Sequence, residues 1–298
     1  MKPRIIWITV ISLLLIASGL GIYFLSSASR PASEGSPFDG QRAWQDVAYQ
    51  VSLGPRTPGS QAHAEFIRWV TDELERHGWQ TEIQEAEMMG HFIQNIFATR
   101  SDEAPQILLV AHYDSRLVAD RDPDPARQTE PVPGANDGAS GVAVLLELAR
   151  TLPSGTVPLG LLFTDAEDNG RIPGWDWILG ARAFANALTE KPKAVIVVDM
   201  IGDADLNIYM EKNSDTVLTL SIWEQAADLG YQDEFINEQK HSILDDHIPF
   251  LELGIPSIDI IDIDYPYWHT TSDTPDKVSP ESLQVVGETL WHWLVSQP

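Results

Sequence analysis

The chain has 298 residues, 19 Lys+Arg against 44 Asp+Glu for a formal net charge of −25, and no cysteine. Its length holds one large α/β domain or two small ones, and 43% hydrophobic with 21% charged residues is the composition of a folded chain. The acidic balance excludes nucleic-acid binding through a basic surface, and the lack of cysteine excludes disulfides, thiolate catalysis and Cys-ligated zinc, so any metal must be held by His, Asp or Glu.

The positive charges are unevenly spread. Residues 1–38 carry Lys2, Arg4 and Arg30 against Glu34 alone, which leaves residues 39–298 with 16 positive and 43 negative groups, a net −27. Between Arg4 and Arg30 runs an uncharged stretch whose apolar part, residues 5–25, is long enough as a helix to span about 30 Å, the thickness of a bilayer's hydrocarbon. Lys2 and Arg4 mark residues 1–4 as a short cytoplasmic end by the positive-inside rule. The expectation is a transmembrane signal-anchor over 5–25. The rival is a cleaved signal peptide, for which Ser26-Ser27-Ala28 is a passable cleavage site, although an apolar region of roughly 7–15 residues is then expected. Either way residues 39–298 lie outside the cytoplasm, anchored to the lipid bilayer or secreted.

Residues 26–38, rich in Ser, Pro, Ala and Gly, read as a flexible linker. No later stretch resembles it, and there is no internal repeat, so residues 39–298 read as one catalytic domain.

That domain alternates helix and strand. Residues 60–77 place Ala64, Ile67, Val70 and Leu74 at helical spacing and end at Gly78. Residues 93–99 and 106–111 read as strands, 141–152 as a buried helix, 159–164 as a strand and 181–188 as a helix. Then come a strand over 194–198, a helix over 216–229, a strand over 257–261 and a closing helix over 281–295. Short apolar runs without alternation are strands covered on both faces. The expected fold is a single three-layer α/β domain with a mostly parallel central sheet flanked by helices. Ligands in such sheets bind beyond the carboxyl ends of the strands.

Polar residues gather where those strands end. The strand over 106–111 runs into His112-Tyr113-Asp114-Ser115, that over 159–164 into Asp165-Ala166-Glu167-Asp168, and that over 194–198 into Asp199. Trp268-His269-Thr270 follows the last strand closely, and Asn136-Asp137-Gly138 precedes the buried helix. Asp, His and Gly commonly end strands and cap helices, which accounts for any one of these positions. Five together at one rim point to a site. Imidazole and carboxylate without thiolate suit zinc in an open catalytic geometry. Glu167 and Asp168 are adjacent, and successive residues at a strand end point different ways, so one can bind metal while the other faces substrate as acid or base. His63, His77, His241 and His292 read as surface residues; His247 is ambiguous.

These segments resemble the zinc aminopeptidase superfamily. The matching pieces are GPRTPGS (54–60), AHYDS (111–115), PGANDGASGVAVLLELAR (133–150), FTDAED (163–168), VVDMIG (197–202), DDHIPFLELGIPSIDI (245–260) and WHTTSDTPDKVSPESL (268–283), in the family's order. HYDS, DDHIPFL with its following Gly-Ile-Pro, and Trp268 directly before His269 resemble the animal-type glutaminyl cyclase branch. That resemblance implies an acyltransferase, a glutaminyl-peptide cyclotransferase acting on peptide or protein N-termini, with one zinc ion on Asp137, Asp168 and His269. It also implies Glu167 as acid/base, Asp199 and Asp245 in its hydrogen-bond network, and Trp268 with Trp175 or Trp177 walling the pocket. The aminopeptidase branch implies a second zinc on His112, Asp137 and Asp199. Asp168 departs from the Glu usual in the family. An inactive binding module would show a damaged ligand set, and here the set is intact.

Overall fold

The computed structural model describes residues 35–298. The membrane anchor or signal peptide expected over 5–25 lies outside the described residues, and no described helix is long and apolar enough to cross a membrane.

The first helix, α1 (Gly40–Ser52), is capped by Asp39, whose side chain accepts from the Arg42 N–H. It went unread in the sequence because its buried face is half polar: Ala43 and Val47 alternate with Asp46 and Gln50. Gln50 donates its side-chain amide to the Ala139 carbonyl, and Asp46 pairs with Arg150. Phe38, placed in the flexible linker by composition, is buried in the main core. The Ser/Pro-rich stretch therefore ends before it, since an exposed phenyl ring gains by docking.

Helix α2 (Gln61–Arg76) starts where expected, with Ser60 capping the His63 N–H. It buries Ala62, His63, Phe66, Val70 and Leu74, while Ala64 is exposed and Ile67 half-buried. The core-facing stripe is thus rotated from the expected one, because the helix also turns an imidazole inward.

Strands β1 (Gln80–Met88) and β2 (His91–Thr99) form an antiparallel hairpin. β1 was not expected: its sequence, QTEIQEAEM, shows no buried alternation because it is an edge strand. Its carboxylates discourage further strands from pairing there. The remaining sheet strands are β3 (Ile107–His112), β4 (Leu159–Thr164), β5 (Ala194–Asp199) and β8 (Ser257–Ile261), close to their expected bounds. The spatial order is β1-β2-β4-β3-β5-β8, with β4, β3, β5 and β8 mutually parallel and β2 antiparallel to β4. A two-stranded parallel pair, β6 (Ile208–Met210) with β7 (Phe235–Gln239), stands apart.

Period-two alternation sends successive residues of the central strands into two cores. Leu109, Ala111, Leu161, Phe163, Ile196 and Val198 face the larger one, packed by α1, α2, α3 (Ala139–Thr151), α5 (Thr216–Asp228) and α7 (Pro280–Val295). Leu108, Val110, Leu162, Val195 and Val197 face the smaller, closed by α4 (Leu179–Ala187) and the short α6 (Ile248–Glu252). The architecture is a three-layer α/β domain whose mixed sheet is mostly parallel.

Two features aim the strand ends at one place. The parallel register sets His112 beside Thr164 and Asp199 beside Ile261, so four strands terminate at the same edge. Gly141 lets α3 approach the strand beneath, since a Cβ there would lie 2.0 Å from the Val198 carbonyl oxygen. The turn before α3, carrying Asp137, is thereby brought down onto the edge.

Candidate active site

Each buried acid at this edge is fixed by a specific partner. Asp114, just past β3, accepts from the Glu167 N–H at 3.0 Å and the Asn169 side-chain amide at 3.1 Å, holding the turn after β4. Asp273 accepts from the N–H groups of Asn136 at 2.8 Å and Asp137 at 3.2 Å, and from the Tyr265 hydroxyl at 2.8 Å. Arg56, from the GPRTPGS segment, is fully buried and donates to the carbonyls of Tyr113, Pro133 and Gly134. It ties the end of β3 to the loop leading into Asp137. Three non-glycine residues at the strand ends, Ala166 (φ 53°), Met200 (φ 47°) and His269 (φ 57°), hold left-handed backbone, a strain of the kind found where geometry serves chemistry.

Two triads result, sharing Asp137. One ligand atom from each of Asp137, Asp168 and His269 lies within 4.8 Å of the others, and the same holds for His112, Asp137 and Asp199; all five side chains are buried. The His269 Nε2 is 2.8 Å from Asp168 Oδ1 and 3.8 Å from Asp137 Oδ2, and the His112 Nε2 is 3.0 Å from Asp137 Oδ1 and 3.1 Å from Asp199 Oδ1. On the far side of each ring Nδ1 faces another carboxylate, Asp120 at 3.4 Å for His269 and Asp114 at 3.5 Å for His112. A ligating histidine oriented by an outer carboxylate is the usual supporting arrangement of a metal site.

The donor chemistry fits a divalent cation. Asp137 Oδ2 and Asp168 Oδ2 are buried with no hydrogen-bond partner, a costly state that a cation between them relieves. All donors are imidazole nitrogen or carboxylate oxygen, which suits zinc.

Burial opposes ionisation of every carboxyl here; His112 nonetheless holds Asp137 below the usual range, whereas Glu167, Asp168 and Asp199 are raised. Burial, then repulsion from Asp245, holds the Glu167 carboxyl well above the usual range. Burial and Asp137 push Asp168 to about 6, and burial pushes Asp199 up to about 7 against the pull of His112. Burial opposes the charge on His269, but Asp168 and Asp120 outweigh it and raise the imidazole to about 9. A bound cation would favour the charged form of its carboxylate ligands; Glu167 belongs to neither triad.

Above the triads opens a cleft of about 300 Å³. Asp137, Glu167, Asp168, Asp199 and Asp245 form its acidic floor, with Met200, Ile261 and Ile263 between them and Trp177 and Trp268 as walls. The Trp268 ring centroid is 3.9 Å from that of His269, and Trp177 lies 6.0 Å from it and nearly parallel. Trp177 packs tightly on Gly170, where a Cβ would come within 2.1 Å of the indole.

The expected site residues Asp137, Glu167, Asp168, Asp199, Asp245, His269, His112, Trp177 and Trp268 thus meet at one edge. Trp175 does not: it stacks on His91 at 3.5 Å and packs with Ile93, Ala166 and Leu179 away from the cleft. Asp199 bonds His112, and Asp245 accepts from the Asp246 N–H and acts on Glu167 by charge repulsion, so neither forms the expected hydrogen bond to Glu167. His63, expected on the surface, is buried, with Nε2 2.9 Å from Asp165 and 2.9 Å from the Tyr113 hydroxyl. His241 lines the cleft while bonding Asp264. His247 is buried against Glu211 at 3.3 Å. Asp114, Asp120 and Asp273 were missed; the one available signal was that each lies within nine residues of a ligand in a polar run after a strand.

Residues 95–294 match the model of Peptidase family M28. Among solved structures, the glutaminyl cyclase of Tannerella forsythia is 34% identical with a TM-score of 0.82, covering 88% of this chain and 99% of that one. The leucine aminopeptidase precursor of Bacteroides thetaiotaomicron is 31% identical with a TM-score of 0.83, covering 88% and 98%. The glutaminyl-peptide cyclotransferase of the snake Boiga irregularis is 26% identical over 300 aligned residues, covering 84% of this chain and 79% of its own.

Proposed function

The chain belongs to peptidase family M28, and within it we propose that this protein is a zinc-dependent glutaminyl-peptide cyclotransferase, converting an N-terminal glutamine to pyroglutamate with release of ammonia. The observation that carries this reading is the pair of indoles flanking His269. Trp268 and Trp177 line an aromatic slot beside the first triad, over buried carboxyls, which fits the flat, neutral amide of a glutamine side chain.

Asp137, Asp168 and His269 would hold the zinc, which when bound supplies Lewis acidity toward the amide oxygen. Glu167 accepts a proton from the substrate's α-amine, whose pKa of about 7.7–8.0 lies within reach of a carboxyl raised by burial. The amine nitrogen then bonds to the side-chain amide carbon, closing a five-membered lactam. The carbon–nitrogen bond to the amide NH₂ breaks, and Glu167 returns its proton so that the group leaves as ammonia. The slot walls orient the side chain and exclude water, which would otherwise divert the reaction to hydrolysis.

A second reading rests on a specific observation. His112, Asp137 and Asp199 form a complete second triad, and a metal there favours aminopeptidase hydrolysis with a water as nucleophile. The deciding experiment offers the zinc-loaded protein a Gln-initiated and a Leu-initiated peptide. Ammonia released from the first, with no cleavage of either, is the expected result; free leucine from the second would sink the cyclase reading.

The proposed setting is extracytoplasmic, supported by the apolar run over residues 5–25 and the charges before it. Fractionation of the full chain carrying a C-terminal tag tests it: the tag is expected to be accessible to protease added from outside the cytoplasmic membrane.

A further inference from the structure

The cleft holds two cations at its mouth. Arg121 and Arg171 both line it, and both are exposed while the carboxyl floor beneath them is buried. Arg121 lays its guanidinium over the Trp268 ring, 4.2 Å from the centroid, and its backbone N–H donates to the His269 carbonyl. Arg171 sits in left-handed backbone (φ 64°) on the loop between Asp168 and Trp177.

Neither guanidinium has a carboxylate partner among the described residues. Residues 39–298 carry 43 acidic groups, and Arg76, Arg127, Arg182, Lys240 and Lys277 each pair with a carboxylate, whereas the exposed Arg68, Lys191, Lys193 and Lys212 have none among the described residues. What sets Arg121 and Arg171 apart is that both line the same cleft. Two free arginines facing one opening, on a surface of the opposite sign, leave donor forks for an incoming ligand. A guanidinium beside a cleft favours a carboxylate, which it can bind through two parallel hydrogen bonds.

We infer that Arg121 and Arg171 form a carboxylate-selecting rim that favours substrates bearing a negative charge just after the N-terminal residue. This rests on the reading of the cleft as the seat of a peptide N-terminus. The floor takes the first residue and its amide, and the chain leaving the cleft passes between the arginines. The carboxylate can come from Asp or Glu at the second or third position, or from the C-terminus of a very short peptide. The rim also lets acidic substrates approach a domain whose net charge would otherwise repel them.

The test compares Gln-Glu-Ala, Gln-Ala-Ala and Gln-Lys-Ala as C-terminal amides, with Gln-Ala as free acid and as amide to separate the two carboxylate sources. Turnover of each by the full chain gives kcat/KM, and calorimetry on the Glu167→Gln protein gives Kd. At low salt the Glu peptide is expected to exceed the Lys peptide by about tenfold, the scale of two exposed ion pairs. The ratio should fall toward one in 1 M salt, where the screening length is about 3 Å. Arg171→Glu should reverse it, and the Arg121→Ala/Arg171→Ala double variant should abolish it. A wild-type ratio near one at low salt, or one untouched in the double variant, overturns the rim. If glutamine peptides bind but are not cyclised while leucine peptides are cleaved, the cyclase reading fails instead. The Glu-to-Lys ratio, measured on Leu-Glu-Ala and Leu-Lys-Ala amides, then still decides the rim.

Discussion

At the scale of single residues, the proposed chemistry divides between groups that would hold a cation and one that would move a proton. Glu167 stands outside both triads yet shares their floor, and its carboxyl is raised by burial and by Asp245. Glu167→Gln keeps the shape and hydrogen-bonding span but removes the titrating group. It is expected to lower kcat by about 10²–10⁴-fold while leaving bound zinc unchanged, as read by elemental analysis; full activity would refute the proton-transfer role. Trp268, proposed as a pocket wall, carries a different signature. Trp268→Ala opens the wall beside His269, and its effect should fall on KM as well as kcat in steady-state assays, whereas Glu167→Gln acts on kcat. Sequence motifs placed both residues among the site candidates. They did not reveal Asp114 and Asp273, whose carboxylates accept backbone N–H bonds rather than touch the reacting space.

Elements carry the site through a few buried ionic contacts. Glu147, on α3, is fully buried and depends on Arg42 from α1 and on Arg150 one turn along its own helix. Arg150 also joins Asp46 of α1 and Glu73 of α2, so one guanidinium locks three helices. Arg150→Ala leaves the buried Glu147 carboxylate reliant on the half-exposed Arg42 and strands Asp46. A loss of about 3–5 kcal/mol is expected in denaturant unfolding. A loss below about 1 kcal/mol would show that Arg42 suffices. Elements were legible in the sequence wherever burial was complete: β3, β4, β5 and β8 are continuous apolar runs found within a residue or two. They were illegible where neighbours supplied the missing burial. β1 is charged and gains its place by pairing with β2, and α1 buries Asp46 and Gln50 that only α3 can satisfy.

At the scale of the whole molecule, the acidic charge is not spread evenly in its consequences. Several carboxylates are buried at one sheet edge, and Asp137 and Asp168 each leave an oxygen without a partner. A cation bound between them would satisfy those oxygens and so couple metal binding to stability. Removing metal with a chelator is expected to lower the melting temperature by on the order of 10 °C, and added zinc to restore it. An unchanged melting curve would mean that the triads do not hold a metal tightly. Metal counting on the same samples separates one occupied triad from two.

The sequence alone determined the layered α/β fold and the restriction of any metal ligand to His, Asp or Glu, and its resemblance to a known superfamily pointed to the residues of both triads. The first two are local properties: apolar runs make central strands and missing cysteine removes thiolate. Only the tertiary structure decided which aromatics reach the site, because Trp175 and Trp177 lie two residues apart in one loop and its path turns one onto His91 and the other toward His269. It likewise decided that His63 is buried and that Arg121 and Arg171 stand free at one opening. Those outcomes depend on what distant segments bring alongside, a matter of packing that no spacing along the chain encodes.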